Sequence, residues 1–347
     1  MPSNPPSDPH WTEPGAFEVA AGVHRIPLPL PMDGLRAVNV YALETEEGLT
    51  LVDGGWAVEA ARARLDDALA SMGAKVTDIT RFLVTHVHRD HYTQAVAVRR
   101  EVGSHVSLGL GDKDTLDLVR DGLGDDPTVP RLRRCGADRV ARGWEKAFEG
   151  ERPDPSLWEH PDSWLDGDHT LEVGTRTLDA VSTPGHTQGH YVFADRAAGL
   201  LFAGDHVLPT ITPSIGFEPA YAAQPLGDFL TSLAKVRAMP DLRLLPAHGP
   251  VTASSHARVD ELVAHHDERL ALCLAAVRSG RRTAYDVAGE LPWTRHARRL
   301  DDLDVFNAAL ATMETHAHLQ LLAARGELTR TGTDGVDVYE VPAPASR

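Results

Sequence analysis

The feature that most limits what this chain can become is the run His86-Val87-His88-Arg89-Asp90-His91, set directly after the apolar stretch Ile79-Thr80-Arg81-Phe82-Leu83-Val84-Thr85. That stretch reads as a buried strand, so three imidazoles and a carboxylate emerge together at its end. Imidazole nitrogen and carboxylate oxygen hold zinc-like cations at about 2.0–2.2 Å. A strand end passing into a tight loop turns alternate side chains toward one point and the next pair toward a second point nearby. Two adjacent cations, about 3.5–4 Å apart, need that arrangement. A His-rich run can instead be a solvated turn or a set of core histidines, but this one does not stand alone. His186 follows in Thr183-Pro184-Gly185-His186-Thr187, Asp205 in Phe202-Ala203-Gly204-Asp205 and His248 in Pro246-Ala247-His248-Gly249. Each sits at an expected strand-to-loop junction beside a glycine that lets the backbone bend.

The rest of the chain supplies a frame for such a site. Residues 1–18 are rich in Pro, Ser and acid and read as a loose tail. Residues 38–43 and 49–53 flank the turn Glu46-Glu47-Gly48 and predict a hairpin. A helix is expected over 58–72, closed by Gly73, and another over 92–101. Residues 111–165 are charged, carry Arg131, Arg133, Arg134, Arg139 and Arg142, and read as a partly helical insertion, a candidate lid. Strands are expected at 171–173, 177–182, 191–193, 200–203 and 242–245, with a helix over 226–239. Strand–helix alternation with hairpins predicts an α/β architecture of layered sheets. Near residue 253 the character changes. Helices are expected over 255–279, from the N-cap Thr283 to 291, and over 304–324, then a hairpin turning at Asp334-Gly335, the outline of a winged-helix module.

Composition narrows the partners. The net charge is −16 over 347 residues, and residues 254–347 hold 11 arginines and no lysine against 14 acids. Affinity for a phosphate backbone rests on Lys and Arg displacing counterions, so nucleic acid is a disfavoured partner and a small molecule the expected one. The C-terminal module is read as structural support, a dimerisation surface or a closure for the site. Cys135 and Cys273 stand far apart with no CxxC spacing, which argues against a disulfide framework. No secretory leader and no run of about 18 apolar residues is visible, so the expectation is a cytoplasmic protein without a membrane span.

With its five elements Asp53, the HxHxDH run, His186, Asp205 and His248, the chain resembles metallo-β-lactamase-fold hydrolases from about residue 19 to 253. The resemblance implies an αββα sandwich with the site along one edge of the sheets. It implies one metal on His86, His88 and His186, a second on Asp90, His91 and His248, and Asp205 bridging them. It also implies that Asp53 orients a ligand from behind; read alone, Asp53 serves equally as a cap for the Gly54-Gly55 turn. Two divalent cations are the expected cofactors, zinc first, with iron or manganese accepted by the same ligand types. Asp90 is the expected catalytic residue, orienting the attacking water. The segment from Ala317-His318-Leu319 through Gly326 into the hairpin resembles, more weakly, the C-terminal module of the β-lactamase-like protein 2 group, some of whose members are endoribonucleases.

The reading that follows is a hydrolase of small acyl compounds such as thioesters, lactones or related esters, glyoxalase II-like in its metal set. The alternatives are a phosphodiesterase or endoribonuclease of the β-lactamase-like protein 2 type, and a metal-binding protein without turnover. Other residues take plainer readings: His190 and His206 as structural neighbours, Tyr92 as packing at a helix start, and His265, His266, His316 and His318 as helix-face residues.

Overall fold

The computed structural model describes residues 10–31, 34–121, 127–149, 154–294 and 296–343. Apolar side chains alternate along the strands, and the alternation sorts them into layers. One sheet runs in sequence order through β1 (Phe17–Ala20), β2 (Val23–Pro29), β3 (Ala37–Thr45), β4 (Gly48–Val52), β5 (Ile79–Leu83), β6 (His105–Gly109) and β7 (Ser163–Leu165). The second comprises β8 (His169–Val173), β9 (Arg176–Ser182), β10 (Tyr191–Asp195), β11 (Leu200–Gly204) and β12 (Arg243–Pro246), in the reverse of their chain order.

In β3, Val38, Val40 and Ala42 turn one way, toward Leu65 and Leu69 of α1 (Glu59–Ser71) and Val96 of α2 (Arg89–Val102). Tyr41 and Leu43 turn the other way and meet Phe193 and Phe202 of the second sheet. In β10 and β11 the same period places Val192, Ala194, Leu201 and Ala203 outward, against helices on the far side. The order is helix, sheet, sheet, helix, the layered α/β sandwich expected. Each fully buried Leu or Phe in these layers stabilises the fold by about 1.5–3 kcal/mol.

The segment between β6 and β7 carries α3 (Lys113–Arg120), α4 (Thr128–Arg134) and α5 (Asp138–Ala147). After β11 come α6 (Pro225–Ala238), α7 (Ser255–Arg278), α8 (Ala284–Glu290), α9 (Val305–Ala324) and the hairpin β13 (Thr329–Thr333) and β14 (Val336–Glu340). Ser254, Thr283 and Asp304 cap α7, α8 and α9 with their side chains. Leu132 and Trp144 of the insertion, Leu226 and Phe229 of α6, Val259 of α7 and Leu319 of α9 belong to one core with the outer face of the second sheet. That core is continuous across position 253. Cys135 and Cys273 are free, buried thiols.

Two boundaries and two strands differ from expectation. Residues 1–9 of the expected tail lie outside the described residues, but β1 already begins at Phe17, and the Trp11 carbonyl accepts a hydrogen bond from Arg25 at 2.6 Å. Strands β6 and β7 come in addition to the expected set. Helix α2 starts at Arg89 rather than at Tyr92, because Asp90 in the first turn suits the positive end of a helix. Among the described residues, no helix is long and apolar enough to cross a membrane.

Candidate active site

Strands β5, β9, β11 and β12 end at one edge of the sandwich, and each hands a ligand-type side chain to the loop that follows. His86 and His88 lie in the loop after β5, while Asp90 and His91 occupy the first turn of α2, so the run is half loop and half helix. His186 follows β9, Asp205 follows β11 directly and His248 follows β12.

The structure brings all seven together in two groups. In the first, His86 Nε2 and His186 Nε2 approach His88 Nδ1 at 2.9 and 3.1 Å, and Asp205 Oδ2 lies 3.5 Å from His186 Nε2. In the second, Asp90 Oδ2 lies 3.7 Å from His91 Nε2 and 3.4 Å from His248 Nε2, and Asp205 Oδ1 lies 3.7 and 3.4 Å from the same two nitrogens. Ligands about 2.0–2.1 Å from a tetrahedral zinc stand roughly 3.3 Å from one another, so both groups have the spacing of a cation's ligand set. Asp205 gives one oxygen to each.

A second observation tests the fit. His91 Nε2, His248 Nε2 and Asp205 Oδ1 are buried and have no hydrogen-bond partner. Buried polar atoms are normally paired, and leaving one unpaired costs about 1–3 kcal/mol. Three such atoms converging within 3.7 Å suit a shared cation.

The opposite nitrogens of four of the five imidazoles are held. His86 Nδ1 is 3.0 Å from Thr85 Oγ1, while His186 Nδ1 donates to the Ser214 carbonyl and His248 Nδ1 to the Ala37 carbonyl, both at 2.8 Å. His91 Nδ1 pairs with Asp53 Oδ2 at 2.9 Å, and Asp53 Oδ1 accepts the Thr85 backbone N–H at 2.7 Å. Asp53 is therefore an orienting partner, held in a left-handed backbone conformation (φ 65°). Replacing it with Asn presents an N–H to His91 Nδ1 and drives the ring proton onto Nε2, the atom turned to the cluster. Asp53→Asn is expected to weaken cation binding about tenfold to hundredfold, read by metal titration; unchanged affinity would leave Asp53 as a turn cap only.

Electrostatics divides the two groups. Burial, reinforced by neighbouring imidazoles, pulls His88 down to about 3 and His186 down to about 4, and holds His86 well below its ordinary value. These three are neutral, the form that ligates a cation. Burial opposes charge on His91 as well, but Asp53, Asp90 and Asp205 outweigh it and push the ring up to about 10. Burial likewise opposes ionisation of Asp90, yet His91 and His248 hold its carboxyl well below the usual carboxylate range. A cation entering the second group displaces a proton from it.

Of the residues given plainer readings, His190 does more than expected. Its Nε2 accepts the Asp205 backbone N–H at 3.1 Å and its Nδ1 is 2.9 Å from Thr183 Oγ1, which fixes a neutral ring behind the shared carboxylate. Gly204 makes room for it, since a Cβ there, at φ +51°, would stand 2.7 Å from both His190 Nε2 and Thr85 Oγ1. Tyr92 is packed in the core at the start of α2 and also donates to the Glu159 carbonyl at 2.5 Å. Arg133, Arg134 and Arg139 pair with Glu145, Asp337 and Asp301, and Arg131 donates to the Gly216 and Glu218 carbonyls, so four of the five clustered arginines serve structural contacts. Asp112 and Glu218, buried beside the His186 loop, are not among the sequence candidates. For Asp112 the sequence offers only the glycine spacing of Gly109-Leu110-Gly111-Asp112.

The profile of the metallo-beta-lactamase superfamily matches residues 33–248, which contain all seven residues and Asp53. The chain belongs to that superfamily. As a metallo-hydrolase of this superfamily it is 25% identical over 277 residues to a beta-lactamase-like protein 2 homolog of Caenorhabditis elegans, covering 78% of this chain and 77% of the other. It is 29% identical over 272 residues to an atrochrysone carboxyl ACP thioesterase of Paecilomyces divaricatus, covering 77% and 69%. Among solved structures, a beta-lactamase domain protein from Burkholderia ambifaria superposes with a TM-score of 0.76 at 27% identity, covering 94% of this chain and 93% of the other. A metallo-beta-lactamase family protein from Thermus thermophilus gives 0.72 at 27%, covering 94% and 100%.

Proposed function

We propose that this metallo-hydrolase holds two divalent cations, zinc in the first instance, and cleaves small acyl compounds: thioesters first, with lactones and related esters in the same class. The observation that carries the reading is Asp205, whose two oxygens face separate ligand groups at 3.4–3.7 Å. His86, His88 and His186 with Asp205 Oδ2 would hold one cation, and Asp90, His91 and His248 with Asp205 Oδ1 the other. When bound, such a pair lowers the pKa of a water toward neutrality and polarises the carbonyl under attack. The chain's own groups do the rest. Asp90, held ionised, turns Oδ2 to His91 and His248, which leaves its other oxygen to accept a hydrogen bond from the attacking water and aim it. Asp53 and the Ala37 and Ser214 carbonyls keep the ligand nitrogens aligned through each turnover.

Two things favour an acyl substrate over a phosphodiester. The relatives named as thioesterases act, by name, on acyl groups of a carrier protein, and a net charge of −16 repels a polyanion. The test is elemental analysis of the purified protein with a panel of thioester, lactone, phosphodiester and β-lactam substrates. About two metals per chain and preferred thioester turnover are expected. Full turnover after exhaustive chelation would overturn the two-metal reading, and preferred phosphodiester cleavage would overturn the substrate class.

A further inference from the structure

The segment joining β6 to α3 touches none of the seven ligand-type residues through a hydrogen bond, yet it carries a fully buried acid. Asp112 Oδ2 accepts the Val87 backbone N–H at 2.8 Å and its Oδ1 accepts that of Gly189 at 2.7 Å. Val87 lies between His86 and His88, and Gly189 closely follows His186. One carboxylate thus joins the two loops that supply the three imidazoles of the first group.

The backbone is built to bring it there. A Cβ on Gly189 would stand 2.3 Å from Asp112 N, one on Gly109 would stand 1.9 Å from the Gly189 carbonyl oxygen, and one on Gly111 would stand 2.2 Å from the Gln188 carbonyl oxygen. The two segments touch main chain to main chain, which only glycine permits. From the other side of the His186 loop, Glu218 accepts the Gln188 N–H at 3.1 Å. Burying a carboxylate costs several kcal/mol unless charge-assisted hydrogen bonds offset it, and burial pushes the Asp112 carboxyl up to about 6. Plain packing of two loops needs no such group.

We propose that Asp112 is the positioning residue of the first ligand group: it sets the separation of His86 and His88 from His186, and so governs cation affinity there while leaving the Asp90–His91–His248 group untouched. This rests on the two-metal reading above. The second group has its own support in Asp53, bonded to His91. Asp53 also reaches His86 Nδ1 through Thr85 Oγ1, whereas both of these Asp112 bonds go to the loops of the first group.

The experiment uses full-length protein stripped and reloaded with Co²⁺, with affinities taken by titration and the visible spectra compared with those of His186→Ala and His248→Ala. The isosteric Asp112→Asn sets an amide N–H₂ against one of the two backbone N–H groups. It is expected to weaken the site whose spectrum is lost in His186→Ala about tenfold to hundredfold, with the other site unchanged. Wild-type affinity at both sites in Asp112→Asn, or equal loss at both, overturns the proposal. If Asp112→Asn does not fold, as judged by circular dichroism, Asp112→Ser decides, since its shorter side chain cannot reach both backbone N–H groups at once; wild-type affinity at the first site in that variant overturns the proposal. Wild-type protein that takes up fewer than two Co²⁺ ions defeats the two-metal reading itself, whatever Asp112 does.

Discussion

Asp205→Asn is expected to abolish paired cation binding and to lower kcat/KM by at least about a thousandfold, some 4 kcal/mol of transition-state stabilisation. The reason lies in what the side chain replaces. An amide keeps one oxygen but sets a nitrogen that cannot ligate against the other group, so one cation loses a ligand and the pair loses a shared negative charge. The fold should survive, because Asp205 Oδ1 has no hydrogen-bond partner to lose and the backbone N–H that His190 accepts is unchanged. Metal-free variant and metal-free wild type should therefore melt within a few degrees of each other. The wild type should gain about 2.7 kcal/mol for each site filled at a hundred times its dissociation constant, and the variant less. Metal content by elemental analysis and turnover on the same preparations check this. Two tightly held metals with undiminished activity in Asp205→Asn would remove the bridging role.

What makes this site legible is chemical density: four ligand-type residues within six positions, then three more, each beside a glycine. Such a pattern survives errors in element boundaries. Apolar periodicity begins at Tyr92 and says nothing about a polar first turn, so it sets the helix after the run three residues late; the ligands stand out all the same. Strand β6 escapes because it is five residues long, is mostly buried and follows a helix closely, so neither period can be measured. Asp112 escapes for a deeper reason. Its partners are backbone N–H groups 25 and 77 residues away, and main-chain donors leave no trace in residue identity. His190 is visible as a neighbour of His186, but its task depends on the Asp205 N–H reaching its ring across the loop. Residues that hold ligands are written in contacts, whereas ligands are written in composition.

The interface between α7 and α9 carries a second large effect, on stability. The His318 Nδ1–H donates to the Glu314 carbonyl at 2.7 Å, so its Nε2 is the acceptor for the His266 Nδ1–H, 3.2 Å away. His266 Nε2 is buried and unpaired. Neither ring has room for a further proton. Burial first, then nearby Arg269 and His265, pulls His318 down to about 4, and burial together with His318 holds His266 well below its ordinary value. In the unfolded chain both titrate near 6.5. Because the folded pKa values are depressed, the unfolded state binds more protons at acid pH. The stability these rings contribute is therefore complete above about pH 6.5 and is lost as pH falls toward 4, at about 1.4 kcal/mol per pH unit for each proton. For His318 alone the total is about 3 kcal/mol. At the catalytic edge His86, His88 and His186 shift the same way in the metal-free protein and His91 and His248 the opposite way, so the pair is isolated by difference. The double variant His266→Phe/His318→Leu removes both members together and avoids stranding one donor. Urea unfolding of metal-free wild type and variant at about pH 7.5 and pH 5.0 should show a shallower acid loss in the variant. Equal losses in the two proteins would mean that this pair accepts protons in the folded state, and that the core between α7 and α9 is wetter than its burial indicates.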